Sequence, residues 1–120
     1  MKGYVDGFVI PIPKKKVAAY KKMAKQAGKV WMEHGALGFF ECEADDVKKG
    51  KWTSFPRSVK LKAGETVFFS WIMFKSRADR DRVNKKVFND PRLADMMCGK
   101  DMPFDGKRMI YGGFKPAVAL

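Results

Sequence analysis

Glu65-Thr66-Val67-Phe68-Phe69-Ser70-Trp71-Ile72-Met73-Phe74 is the stretch that decides the fold. From Thr66 to Phe74 it reads as a strand: β-branched and aromatic residues crowd it, and the run falls far short of the ~20 apolar residues a membrane-spanning helix needs. A strand with one solvated face alternates apolar with polar. Here Val67, Phe69, Trp71 and Met73 on one side alternate with Phe68, Ile72 and Phe74 on the other. Both faces of the sheet that holds this strand therefore need cover.

Working upstream, Asp45 to Glu65 carries turn signals at Lys49-Gly50-Lys51 and Ala63-Gly64-Glu65, so 45–65 reads as a loop excursion with room for a hairpin or a helical turn. Leu37 to Ala44 is a strand. From Lys14 to His34, Val17, Tyr20, Ala24, Ala27 and Trp31 recur at helical steps, opposite a stripe of Lys14, Lys21, Lys22, Lys25 and Lys29. That helix closes at His34-Gly35, where glycine accepts the left-handed cap. Tyr4 to Ile12 is a strand expected to stop at its prolines, Pro11 and Pro13. Downstream, Ser76-Arg77-Ala78-Asp79 opens a second helix in the manner of a capping box, with Val83 and Val87 turned inward. Asp90-Pro91 restarts a short helix with Leu93, Met96 and Met97 on one side, and Met109 to Phe114 is the last strand.

The order is β-α-β-β-α-β, the split βαβ or ferredoxin-like pattern, an α+β domain spanning 1–120 with a four-stranded antiparallel sheet and both helices on one face. The bare face of such a sheet is expected to be covered by a second copy of the chain, because closed two-fold dimers dominate soluble oligomers.

Composition narrows the classes. The apolar share of 46% and charged share of 32% are those of an ordinary globular protein. The start of the chain lacks the uninterrupted apolar segment of a signal peptide, so the expected address is the cytoplasm, with no membrane partner. Cys42 and Cys98 have no metal-ligand spacing and read as free thiols there. The 25 basic residues outnumber the 13 acidic ones, which raises nucleic acid as a partner. However, the RNA-recognition motif, which shares this element order, needs a basic and aromatic run on its third strand, and Glu65 to Trp71 does not supply one. The lysines lie on a helix face and in the Lys48–Lys51 turn, where solvation is the ordinary explanation, so nucleic acid ranks below a small molecule.

Several segments together resemble the DUF1428 family, a bacterial group of unknown function related to the dimeric α/β barrels. They are Tyr4-Val5-Asp6-Gly7-Phe8-Val9, Glu41-Cys42 with Asp45-Asp46-Val47, Phe69-Ser70-Trp71-Ile72, Asn89-Asp90-Pro91-Arg92, and Met102 through Phe114. The resemblance implies a ferredoxin-like subunit that pairs sheet to sheet as a dimeric α/β barrel. It transfers no catalytic residue. Related dimeric barrels include cofactor-free oxygenases and isomerases, an analogy of fold alone.

Asp6 shares a strand face with Tyr4, Phe8 and Ile10. An acid among apolar groups is costly unless paired, which makes Asp6 the best candidate for a catalytic proton-transfer group. Pairing with an arginine or a loop amide is the commoner fate of such a residue. Tyr4, Trp71 and Tyr111 are the companion ligand-binding candidates, Trp71 and Tyr111 on strands expected at the centre of the sheet; Gly112-Gly113 beside Tyr111 either opens room for a ligand or, more commonly, allows a bulge or close packing. Core packing is the usual role of such aromatics. His34 is explained by its helix end. Glu41, Glu43 and Asp45 fall at two-residue steps, but a solvated edge or cross-strand pairing with lysines such as Lys60 and Lys62 is expected there in preference to a metal.

The functional expectation is a homodimer that encloses a small, partly aromatic molecule between its sheets, lined by Asp6, Trp71 and Tyr111, and that works without a cofactor as an oxygenase or isomerase. The alternative is a binding or regulatory module with no chemistry.

Overall fold

A computed structural model describes residues 2–97 and 102–120, with the backbone alone for Met97. In chain order the elements are β1 (Tyr4–Pro13), α1 (Val17–His34), β2 (Gly38–Glu43), α2 (Phe55–Ser58), β3 (Glu65–Phe74), α3 (Arg77–Phe88), α4 (Pro91–Met97) and β4 (Ile110–Phe114). The four strands make one antiparallel sheet ordered β2-β3-β1-β4. This is the ferredoxin-like arrangement expected from the sequence, and β3 sits inside it with both edges paired. Among the described residues no helix is long and apolar enough to cross a membrane.

The helices share one face. Val30 of α1 and Val83 and Val87 of α3 bury themselves against Ile72 and Phe74, while Tyr20 and Ala24 bury against Ile10, Ile12 and Phe68. Gly28, unfavourable inside a helix, has a reason to be there: a Cβ would stand 2.7 Å from the ring of Phe39, which packs against α1 at this point. Gly35 takes φ 118° and ends α1 in a left-handed cap, as expected. Ser76 caps α3 by accepting from the Asp79 amide at 3.1 Å. Leu93 and Met96 of α4 join the core, and the side chain of Met97 and all of Cys98 lie outside the described residues.

β1 passes through Pro11 and ends at Pro13, one residue past the expected strand from Tyr4 to Ile12. β4 pairs only with Val5 to Val9, whereas β3 continues to Pro13, so past Val9 one side of β1 has no strand neighbour among the described residues that needs donors. One local expectation is corrected: Tyr111 is not on a central strand, since β4 forms an edge.

The excursion resolves as a helical turn, α2, capped by Ser54 accepting from the Arg57 amide. It brings Val59 over Val9 and Val67 on the face opposite the helices. The rest of that face, with Gly7, Phe40, Trp71, Met73, Ile110 and Phe114, carries no covering element among the described residues. The molecule is a slab, 38 × 37 × 21 Å, with a radius of gyration of 15.0 Å, against about 13.6 Å for a compact chain of this length.

Candidate functional site

Strand register sorts the candidate residues. Asp6 pairs with Ile72, Phe8 with Ser70 and with Tyr111, and Gly7 with Trp71. Directly paired residues point to the same side of a sheet, so Tyr4, Asp6 and Tyr111 face the helices and Trp71 faces away from them. The structure thus brings three of the four candidates together and leaves Trp71 on the open face, stacked with Phe40 at 4.9 Å and edge-on to Phe69 at 5.6 Å. The expected lining of the space between sheets by Asp6 and Tyr111 is corrected accordingly. Because both faces of β3 are apolar, the sequence pattern had no means of telling which one the helices would take.

On the helix side, Asp6 lies only 6% exposed at the floor of a pocket of about 600 Å³, within the ordinary range for small-molecule sites. α3 supplies its polar wall. Arg80 Nε stands 3.7 Å from Asp6 Oδ1, and Asn84 donates to Asp6 Oδ2 at 3.4 Å while accepting from Trp31 Nε1 at 3.0 Å. The Arg80 guanidinium also donates to the Tyr4 hydroxyl at 3.1 Å and lies over that ring. Arg80 Nε is buried without closing a hydrogen bond among the described residues, although Asp81 Oδ1 is also 3.3 Å away. Tyr111, 72% exposed, borders the mouth and stacks on Phe8 at 6.3 Å.

Burial is the largest influence on Asp6 and pushes its carboxyl above the usual range; Arg80 and the bond from Asn84 pull it partly back. The result is an acid that holds its proton more firmly than a surface aspartate, beside a fixed positive charge. Such a group can take a proton from a bound molecule and return it, while the arginine balances the charge that develops.

Gly113 keeps this arrangement possible. A Cβ there would collide with the Tyr4 hydroxyl and with the Arg80 guanidinium, the latter at 2.7 Å. Gly113→Ala should therefore cost about 1 kcal/mol in chemical denaturation through the lost Arg80–Tyr4 bond. It should also raise the Asp6 titration midpoint, followed by carboxyl NMR, as the guanidinium is displaced. An unchanged midpoint would mean that Arg80 does not act on Asp6.

The other sequence candidates fall elsewhere. His34 Nε2 lies 2.9 Å from Asp90 Oδ2, joining the end of α1 to the start of α4 away from the pocket. Arg92 and His34 hold the Asp90 carboxyl well below the usual carboxylate range. Glu43 pairs with Lys21 of α1 at 3.2 Å, in place of the expected cross-strand lysines, and Asp45 lies beyond β2. Lys60 and Lys62 instead belong to the segment before β3 that Arg108 ties down, through Lys60 O and Glu65. Among the described residues no group of three acidic, histidine or cysteine side chains could hold a metal ion.

Glu41 behaves differently from its neighbours. It turns into the interior, where Tyr20, itself 3% exposed, donates to its Oε1 at 2.8 Å. Burial raises its carboxyl to about 7, opposed by the Tyr20 bond. Ser70, across the ladder from Glu41, pulls in the same direction as Tyr20, though no regular hydrogen bond closes between them.

A family model described as "Protein of unknown function (DUF1428)" matches residues 3–106. The "Uncharacterized protein YbaA" of Escherichia coli K12 is 49% identical over 115 residues, covering 96% of this chain and 97% of its own. Among solved structures, a NIPSNAP family protein of unknown function from Agrobacterium tumefaciens superposes with a TM-score of 0.62 at 14% identity, over 96% of this chain and 88% of that one. A "dimeric ferredoxin-like protein" from an uncultured marine organism gives a TM-score of 0.61 at 8% identity, covering 100% of both chains. At these identities the two structures speak for the fold alone.

Proposed function

The chain belongs to the DUF1428 family, and from that premise we propose that it is a homodimer whose helix-side pockets each bind a small, partly aromatic molecule on which Asp6 moves a proton. The observation that carries the reading is Asp6 itself: a buried acid, above its usual range, on the floor of an otherwise largely apolar pocket and facing a half-buried guanidinium. Ionised Asp6 takes a proton from the carbon beside a carbonyl, the electron pair moves onto the oxygen as an enolate, and Arg80 balances the charge. Return of the proton to another carbon completes an isomerisation. Attack of the same carbanion on dioxygen would be the opening step of a cofactor-free oxygenase. Phe8, Trp31 and Tyr111 offer the flat surfaces an aromatic ring needs.

The dimer is supported by exposed surface. A compact monomer of this mass exposes about 6,600 Å², whereas this chain exposes 8436 Å², and the uncovered sheet face is aromatic. The fold is also that of a solved protein described as dimeric.

A second reading, a binding module without chemistry, is favoured by one observation: Asp6 already has Arg80 and Asn84 as partners. The test is deuterium exchange into a panel of aryl ketones in D2O, followed by NMR. Asp6→Asn should slow exchange at least tenfold (~1.4 kcal/mol) while ligand-induced thermal shifts persist. If ketones bind but wild-type protein accelerates exchange into none of them, the catalytic reading fails and the binding module replaces it.

A further inference from the structure

Behind the Asp6 pocket is a second, smaller chamber of about 150 Å³ between α1 and the β2 side of the sheet. Its walls are apolar, with Phe8, Ile10, Ala24, Ala27, Phe39 and Met109 among them. Two polar groups interrupt the lining, Glu41 on β2 and Ser70 on β3, which stand directly opposite each other in the ladder. Ser70 is 3% exposed and its Oγ, which acts on the Glu41 carboxyl, closes no regular hydrogen bond among the described residues. Buried hydroxyls without partners are rare, and each asks for an explanation. Tyr20 occupies Glu41 Oε1, yet a carboxylate can accept about four hydrogen bonds, so it retains capacity toward the chamber.

Size and chemistry together narrow the occupant. An apolar cavity of ~150 Å³ takes up a molecule of the size of benzene, which suits a single six-membered ring. The chamber presents an acceptor at Glu41 and a donor-acceptor at Ser70, side by side. A hydroxyl both donates and accepts, so it satisfies the two at once. An ammonium brings three donors, and the apolar remainder of the wall would leave part of them unpaired.

We propose that the chamber formed by Glu41, Ser70 and Tyr20 is a binding site for a neutral single-ring phenol, whose O–H donates to Glu41 and whose oxygen accepts from Ser70. The site is separate from Asp6 in its polar groups and does not depend on any reaction there. Phe8, Trp31, Ile72, Phe88 and Met109 line both spaces, so an occupant here would set the back wall of the larger pocket.

The proposal is tested by calorimetric titration of the full chain at pH 8 with phenol and with toluene, which has the ring and lacks the hydroxyl. Wild-type protein should bind phenol saturably and toluene at least tenfold more weakly. Glu41→Gln and Ser70→Ala should each weaken phenol at least fivefold, and Asp6→Asn should leave it within twofold. The phenol-toluene comparison uses the unaltered protein, so it stands even if a variant fails to fold. No saturable binding of phenol, equal binding of toluene, or sensitivity to Asp6→Asn with indifference to Glu41→Gln would each overturn the proposal.

Discussion

Trp71→Glu should convert the protein to a monomer, raising the dimer dissociation constant at least a hundredfold, about 3 kcal/mol, in sedimentation equilibrium. Trp71 lies in the middle of the uncovered face, opposite Gly7 on β1 and flanked by the rings of Phe40 and Phe69. In an isolated protomer that face meets water, and a glutamate on it is hydrated at little cost. Between two sheets the same carboxylate would be stripped of water with only Val5, Met73, Phe114 and their kind around it, and burying an unpaired charge costs several kcal/mol. The substitution therefore separates association from folding. At dilutions where both proteins are monomeric the unfolding midpoints should agree, and where wild type is dimeric its midpoint should rise with concentration while that of the variant stays fixed. A variant that keeps the wild-type dissociation constant would place the joint elsewhere and leave the aromatic face unexplained.

How far the sequence reveals this molecule follows from what periodicity can and cannot carry. The step of two in β3, apolar on both sides, gave the strand and the need for cover on both faces, because burial acts directly on side-chain pattern. The same double apolarity concealed which face the helices would take, and this separated Trp71 from Asp6, Tyr4 and Tyr111. Parity between strands is set by register, a property of pairing that one strand's pattern does not contain. Tyr111 was expected in the centre, but in this topology β1 and β3 fill the middle and β4 is added outside β1. The partners of Asp6 do leave a signal in the sequence. Arg80, Val83, Asn84 and Val87 form one helical stripe at steps of three, one and three, and its two polar members face the sheet with the valines. A weakly apolar helix with arginine and asparagine in its buried stripe is a helix that brings polar groups to a site. Spacing alone groups Glu41 with Glu43 and Asp45. Burial, with Tyr20 and Ser70 brought beside it from distant parts of the chain, sets it apart.

Glu41→Gln should make the protein more stable at pH 8 by about 3 kcal/mol and leave it unchanged near pH 4. Burial raises the folded-state carboxyl to about 7 from an ordinary value of 4.5. Below the ordinary value both folded and unfolded chains carry the proton, so Glu41 imposes no penalty. As pH climbs from 4.5 to about 7 the unfolded chain releases its proton while the folded chain retains it, so the folded state binds more protons and stability falls across that window. Above it the folded chain bears a buried charge, at a total cost of about 3 kcal/mol. Glutamine keeps the shape, and its carbonyl oxygen still accepts from Tyr20, yet it has nothing to ionise. Asp6 is raised as well and tilts the profile the same way, so the variant should retain a residual slope and not become flat. Glu65, Asp90 and Asp105 are lowered by their arginine partners. Their contributions are lost as pH falls below the ordinary carboxylate range, and they leave the window above 4.5 to the raised acids. Guanidinium denaturation at fixed protein concentration, at pH 4, 5, 6, 7 and 8, measures the difference directly. Parallel wild-type and variant profiles would show that Glu41 is hydrated in the folded protein and that the chamber it lines is open to water.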